Sequence, residues 1–462
     1  MDSVHQERAP RFPTSAGMLL GAAVCAHLAA LVQGVFGEPT TGATLFFVGE
    51  IALSFALLRI IDGEWVFQDI RLFFVFFVFF YGGTLPLIVA FSDQDNQGVA
   101  GAVFLYGTAL FAFNVVQWWY KEPWHDVPPA VFARIRPSSV NLLILLATFG
   151  FVVAYAYYRG LRLAFSIDRT QLRFLSTQLW IVSQFAMNGV AMFMFAGWAN
   201  LSRRTRAIVA VVVTAFVLIQ LSFGNRRDFL PLLIFIAVLV ATHRQAVIRA
   251  WTVVVGFLAF AFFLLIGLMR QIIQFPSLLA QNPVQLLLVS SEFVSPIQTL
   301  MHYVTVNRPL RWGWTYLSAP SLFVPRAIWP GKPESLSVQF LRDTYGHVAG
   351  LMGYAYTPVT EAFLNFGWVG PFVIFAILSL LMVKLVRHAD AHPGLYFISF
   401  AMVVDFNRGD FGGMFYTMVA IGASYYMMHF VSTLRWAGRG SPAPLRTLPE
   451  ARSSGQRAAL NC

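Results

Sequence analysis

Residues 72–91 read LFFVFFVFFYGGTLPLIVAF, a stretch without a single Asp, Glu, Lys or Arg. About 20 apolar residues in a helix cross the ~30 Å hydrocarbon layer of a bilayer. Similar runs occupy 17–36, 43–61, 99–119, 140–158, 179–199, 207–221, 229–242, 250–269, 362–383, 395–406 and 412–434. The seventh, eighth and eleventh in chain order are short, and read as half-helices or as the centres of longer ones. Composition agrees. Of 462 residues, 58% are hydrophobic and 11% charged, and the mean hydropathy is +0.66. A soluble domain carries about 25% charge. A soluble enzyme with a single core, a disordered chain and a fibrous protein are therefore excluded. The expected fold is an all-α polytopic membrane protein with about 12 transmembrane helices. Residues 1–434 form a single transmembrane domain, and 435–462, rich in Arg, Pro, Ser and Gly, read as a disordered cytoplasmic tail. The first run reads as a retained span, not a cleaved signal. Cys25 and Cys462 provide neither a disulfide framework nor a Cys-rich metal site.

Charge sets the orientation. With the N-terminus inside, the inner side holds 19 of the 32 Lys and Arg and the outer side 13. Cytoplasmic loops carry the excess of Lys and Arg, so both termini are expected in the cytoplasm. The first and third outer loops have no basic residue; they carry Glu38, Asp93 and Asp95. All the outer positive charge lies in the fifth, seventh, ninth and eleventh loops. Solvated loop charge, or snorkelling toward lipid phosphates, is one account. An electropositive outer cavity for a polyanionic substrate is the other, and it explains the uneven distribution. Arg forks match phosphate oxygens, which suits a lipid-linked pyrophosphate. No nucleic-acid partner is expected.

The longest break between runs, 270–361, is too long for a structureless loop and is expected to be ordered and partly helical. Within it, Leu286, Val289, Phe293, Ile297, Leu300, Met301 and Val304 follow helical spacing, predicting an amphipathic helix kinked near Pro296. Arg311-Trp-Gly-Trp-Thr-Tyr316 suits either an aromatic belt at headgroup level or a platform for sugar faces. The segment Phe323-Val-Pro-Arg-Ala-Ile-Trp-Pro-Gly-Lys-Pro-Glu334 is stiffened by its prolines and holds Arg326 and Lys332 on an extended ribbon. Glu361 and Asn365, four residues apart, share a helix face where the chain re-enters the membrane. An ionisable group there is a functional candidate; the competing account is a carboxylate favoured by the helix dipole.

The pairing of Pro-Arg-x-Ile-Trp-Pro-x-Lys-Pro with Thr-x-x-x-Glu-x-x-x-Asn-Phe-Gly-x-x-Gly resembles the Wzy-type O-antigen and exopolysaccharide polymerases of bacteria, which join oligosaccharide repeat units. The turn Ser222-Phe-Gly-Asn-Arg-Arg-Asp-Phe229 is similar to a Ser-Gly-x-Arg turn that these polymerases and the O-antigen ligases carry. Arg342 and Gly353 show the Arg-x10-Gly spacing described for such polymerases, although random chains meet it often; Arg159 and Arg162 lack it. The resemblance covers roughly 200–434 by motif and the earlier spans by topology alone.

The resemblance implies glycosyl transfer on the periplasmic face of the bacterial inner membrane. The donor is a chain on undecaprenyl pyrophosphate, and the acceptor is a sugar hydroxyl of a new lipid-linked repeat unit. Arg226, Arg227, Arg270, Arg326 and Arg342 become candidates for the pyrophosphate, with Lys332 as a point charge and Arg408, beside Asp410, completing the anion site. Glu361 is the first candidate for the base and His347 the second, because ligases use a His in the corresponding loop. No metal or other cofactor is expected. Partners are lipid-linked oligosaccharides and the bilayer, with a chain-length regulator and a flippase as further candidates.

Three alternatives stand beside this. A ligase-type glycosyltransferase would rest on His347. A metal-dependent lipid-phosphate-sugar transferase would use acidic outer loops, for which Ser92-Asp-Gln-Asp-Asn96 is the material. A lipid-linked glycan transporter or flippase would carry mid-membrane charges or repeated halves, and none is visible in the sequence.

The orientation is tested by a cysteine placed at Ser335. In intact spheroplasts it is expected to react with a membrane-impermeant thiol reagent; labelling only after lysis would reverse the topology.

Overall fold

A computed structural model describes residues 14–91, 98–124, 127–128, 130–158, 178–222, 228–243, 294–306, 308–325, 328–346 and 355–437. Among these the regular structure is entirely helical. The longer helices are α1 Thr14–Phe36, α2 Pro39–Asp62, α3 Ile70–Phe91, α4 Val99–Tyr120, α5 Ser139–Tyr158, α6 Gln178–Ala196, α7 Arg203–Ser222 and α8 Leu230–His243. After the undescribed stretch come α9 Val294–Thr305, α10 Leu336–Tyr345, α11 Pro358–Phe366, α12 Gly370–Arg387, α13 Pro393–Ala401 and α14 Phe411–Ala437. Seven helical segments among the described residues are long and apolar enough to cross a membrane, and α8 and the first part of α3 are shorter apolar helices. The chain is an all-α membrane protein.

Eleven of the expected runs coincide with these helices; the run 250–269 lies outside the described residues. The seventh run is longer than its apolar stretch, because α7 starts at Arg203. Its N-terminal arginines stand on the helix, with Arg206 donating through Nε to the Trp198 carbonyl at 3.0 Å. Two other runs are broken. A 3-10 turn at Gly367–Val369 divides α11 from α12, and α13 stops at Ala401 before a separate turn, Val403–Phe406. At the first break, a Cβ on Gly370 would stand 2.0 Å from the Ala362 carbonyl oxygen. The close approach of backbone to backbone requires glycine there.

The helices pack in two neighbouring groups. In one, α2 lies between α1 and α4, and α4 packs on α12. In the other, α6 lies between α5 and α14, and α8 packs on α13. Several buried polar side chains inside these groups are paired, as a water-free interior favours. Arg71 at the start of α3 is fully buried. Its Nη2 donates to both Asp62 oxygens at 2.9 and 3.0 Å, its Nε to Asp69 at 3.0 and 3.1 Å, and its Nη1 to the Glu122 carbonyl at 2.6 Å. One guanidinium thus gathers the ends of α2, α3 and α4.

A second interior charge corrects the sequence reading, which found none at mid-membrane. Glu50, halfway along α2, is buried. One of its oxygens is 2.9 Å from His27 Nε2 on α1, and the other accepts from Asn114 Nδ2 on α4 at 2.8 Å. Ser54 Oγ donates to Asn114 Oδ1 at 2.8 Å and completes the network. In the sequence Glu50 is one acid among apolar residues; only packing shows that three helices converge on it.

Arg71→Ala would leave Asp62 and Asp69 buried without their cation. Breaking a buried pair by removing one partner costs about 3–5 kcal/mol. The variant is expected to lose most of its thermal stability in detergent, and Lys, which lacks the fork, is expected to recover it only in part.

Candidate functional site

Among the described residues, those from 294 to 366 pack together as a cap on the helices. Within α9, Pro296 falls in the first described turn. The kink expected near it involves residues outside the described range. Ile297 and Leu300 are fully buried and α9 packs on α3, α4 and α11, as the amphipathic spacing predicts. A small core of Tyr303, Leu336, Phe340, Tyr356 and Leu364 joins α9, α10 and α11. The Tyr303 and Tyr356 hydroxyls are 2.6 Å apart. Burial raises both phenols above their usual range, so the contact is between neutral groups.

Helix α11 starts with Thr357 as its N-cap, accepting from the Thr360 amide at 3.2 Å, and Pro358 follows at the first helical position. Its C-terminal carbonyls have no partner within the helix. The aromatic stretch supplies them. Arg311 N donates to the Leu364 carbonyl at 3.2 Å and Trp312 N to that of Asn365 at 3.0 Å. Gly313 N donates to Asn365 Oδ1 at 3.0 Å. Presenting three successive amides to one helix end bends the backbone into the left-handed region, with φ of 51° at Trp312 and 83° at Gly313.

This docking brings Thr315 to Glu361. Glu361 is 1% exposed. Its Oε1 accepts from Thr315 Oγ1 at 2.5 Å, and its Oε2 accepts from the Phe411 amide at the start of α14 at 2.6 Å. Asn365 Nδ2 donates to Thr315 Oγ1 at 2.7 Å and to the Glu361 carbonyl at 2.8 Å. The shared face expected for Glu361 and Asn365 is therefore present. The carboxylate spends both oxygens on other segments, so a partner for its own helix dipole is not its main employment.

Glu361 lines an open cavity of about 110 Å³, together with Arg311, Thr315, Glu334, Gln339 and Asp410. Asp410 accepts from the Leu336 amide at 3.2 Å and the Gly413 amide at 3.0 Å. Arg311 Nη1 donates to Gln339 Oε1, and Gln339 Nε2 donates to the Glu334 carbonyl at 2.6 Å. Three carboxylate residues and a guanidinium thus line one small space. Beside it, Trp312 is 75% and Trp314 59% exposed.

The other nominated residues fare differently. Lys332 is buried, and its Nζ donates to the Leu322 and Val324 carbonyls at 2.8 and 3.0 Å. The lysine ties the proline-rich ribbon to its own preceding turn and does not line the cavity. Arg342 pairs with Glu334, so it meets the cavity through a carboxylate of its wall. Arg408 is half-buried, two residues before Asp410. Arg226, Arg227, Arg270, Arg326 and His347 lie outside the described residues. His302 is the described imidazole of this region. Burial, and secondarily Arg308, hold it below its usual value, and Thr344 Oγ1 is 3.4 Å from it.

Sequence reasoning missed Arg311, Thr315 and Gln339. Arg311 was read only as the edge of an aromatic stretch, and Thr315 carries no signal apart from its contact with Glu361. No family model, curated protein or solved structure matches this chain.

Asn365 serves the helix end, the Trp loop and Thr315 at once. Asn365→Leu, of similar size, is expected to cost about 1–3 kcal/mol through the polar groups it strands. It is also expected to speed proteolytic cleavage within 308–346, read by the appearance of two stable fragments.

Proposed function

We propose that this chain is a repeat-unit polymerase of the bacterial inner membrane, joining undecaprenyl-pyrophosphate-linked oligosaccharides into O-antigen or exopolysaccharide on the periplasmic face. The observation that carries this reading is the Glu361 carboxylate in the wall of a cavity shared with Arg311 and Asp410. Pro333 and Glu361 of its wall belong to the two motifs that resemble the polymerases. In this reading the chain crosses the membrane about twelve times, residues 270–361 form the periplasmic loop, and both termini are cytoplasmic.

Glu361 then takes the proton of the acceptor hydroxyl as its oxygen bonds to the anomeric carbon of the donor sugar. The bond from that carbon to the pyrophosphate oxygen breaks, and the electron pair leaves with the lipid pyrophosphate. Thr315 and the Phe411 amide fix the carboxylate's direction, which is how a general base is kept in reach. Arginines hold the departing charge: Arg311 at the wall, with Arg226, Arg227, Arg270, Arg326, Arg342 and Arg408 as the further candidates. With guanidinium groups in this role the transfer needs no metal, and it is expected to persist in a chelator. The Glu50–His27 pair favours the transporter alternative, which predicts movement of lipid-linked glycan without any new glycosidic bond.

Deleting the gene is expected to remove polymer and accumulate single lipid-linked repeat units. Glu361→Gln keeps the shape and cannot take the proton, so the rate is expected to fall about 10²–10⁴-fold. Glu361→Asp, one methylene shorter, should also be impaired. Arg326→Ala and Arg227→Ala are expected to abolish polymerisation at normal abundance. An active Glu361→Gln with an inactive His347→Ala would transfer the role of base to His347 and the chain to the ligases.

A further inference from the structure

A second cavity, of about 500 Å³, opens between α1, α2 and α4. Gly34 and Pro39 border it at the α1–α2 joint, and Gly101 and Trp368 border it at the start of α4 and in the turn after α11. That end of the bundle carries the cap, since Val304 of α9 lies against Gly101. His27 stands seven residues before Gly34 on α1, about 10 Å deeper along the axis at 1.5 Å per residue. It is the one ionisable group among the described residues that line the cavity. Its side chain is 33% exposed, whereas that of Glu50 behind it is 2% exposed.

The hydrogen bonds of this pair count its protons. His27 Nδ1 is 2.7 Å from the Ala23 carbonyl, which only accepts, so Nδ1 carries a hydrogen. Nε2 is 2.9 Å from a Glu50 oxygen. That contact also needs a hydrogen, held by Nε2 in an imidazolium or by the oxygen in a carboxylic acid. In either form the pair binds one proton more than a neutral imidazole beside a carboxylate, and its net charge is zero, as a site halfway across a membrane favours. Removing that proton leaves one hydrogen for two contacts, so the ring gives up either the carbonyl or the carboxyl group. The Asn114 amide, 2.8 Å from the other Glu50 oxygen, is a donor in both states.

The surrounding helices bring few further ionisable groups. α1 adds Cys25. α4 adds Tyr106, two turns before Asn114, and Tyr120 at its end. α3 adds Tyr81, and Arg71 engaged with Asp62 and Asp69. On α2, Arg59 and Asp62 follow Glu50 by nine and twelve residues, and Glu38 precedes it by twelve, so each lies more than about 13 Å away along the axis. We infer that His27 and Glu50 form a binding site for one exchangeable proton at mid-membrane, loaded and emptied through this cavity from the side of the cap. On release the N–H or O–H bond breaks, its electron pair stays on the ring or the carboxylate, and the proton passes to water entering the cavity. The inference does not depend on the reaction proposed for Glu361.

The test uses the full-length protein with nitrogen-15 in its histidine rings, reconstituted in phosphatidylcholine vesicles and titrated from acidic to alkaline pH. The nitrogen resonances lost in His27→Leu report the imidazole, and the infrared carboxyl stretch lost in Glu50→Gln reports the acid. Together they are expected to show the pair losing one proton as the pH rises. In Glu50→Gln the His27 step is expected to move, because the group that shares its proton is gone. Ala30→Phe narrows the cavity one turn from His27; it is expected to slow the response to a pH jump and to leave the midpoint in place. No change at either group across the titration, or a His27 step identical in Glu50→Gln, would overturn the shared proton. Where Glu50→Gln fails to fold, the wild-type count of one proton lost or none decides. A response as fast in Ala30→Phe as in the wild type would overturn the cavity as the route.

Discussion

The Glu361 carboxylate is buried, and a buried carboxylate has to be surrounded by donors. Thr315 comes from the Trp loop and the Phe411 amide from the start of α14, so one side chain joins three segments distant in sequence. The loop in turn reaches Glu361 only because its amides close the end of α11 through the Leu364 and Asn365 carbonyls. The cavity, the orientation of the Trp pair and the entry of α14 all follow from this arrangement. The same constraint leaves the carboxyl group little freedom of direction, which suits the general-base role proposed for it.

The membrane imposes the same demand on the rest of the molecule. Water is absent from the hydrocarbon layer, so every polar group within the helices has to find its partner in the protein. Arg71 does so with Asp62 and Asp69 near the helix ends, and Glu50 with His27 and Asn114 halfway across. Lys332 shows the rule in the cap, where an ammonium that looked available for substrate is used to tie down its own ribbon. Charged residues here therefore divide into those consumed by folding and those facing a cavity. The division follows from burial and partners, not from residue type.

The helices were readable because a span needs only length and apolarity, both local properties. Runs such as 99–119 and 140–158 match α4 and α5 closely. Their ends were less readable where arginines continue a helix, as at Arg203, or where a backbone contact breaks one, as at Gly370. In the site, Glu361 and Asn365 were visible through their four-residue spacing, a periodic feature of a single helix. Arg311, Thr315 and Gln339 were not, since each gains its role from a neighbour across the fold.

What the sequence by itself determined is the class of molecule: a chain so apolar, with most of its charges between long hydrophobic runs, can only bury its backbone as membrane helices. It also marked the segment 270–361 as the part that departs from simple crossing. Tertiary structure alone decided which charges meet. Glu361 with Thr315 and Asp410 beside one cavity and Glu50 with His27 at mid-helix are both meetings of distant segments. Hydropathy is summed along the chain and survives in its one-dimensional order. A hydrogen bond or an ion pair depends on a few ångströms between side chains, and only the packing of helices sets that separation.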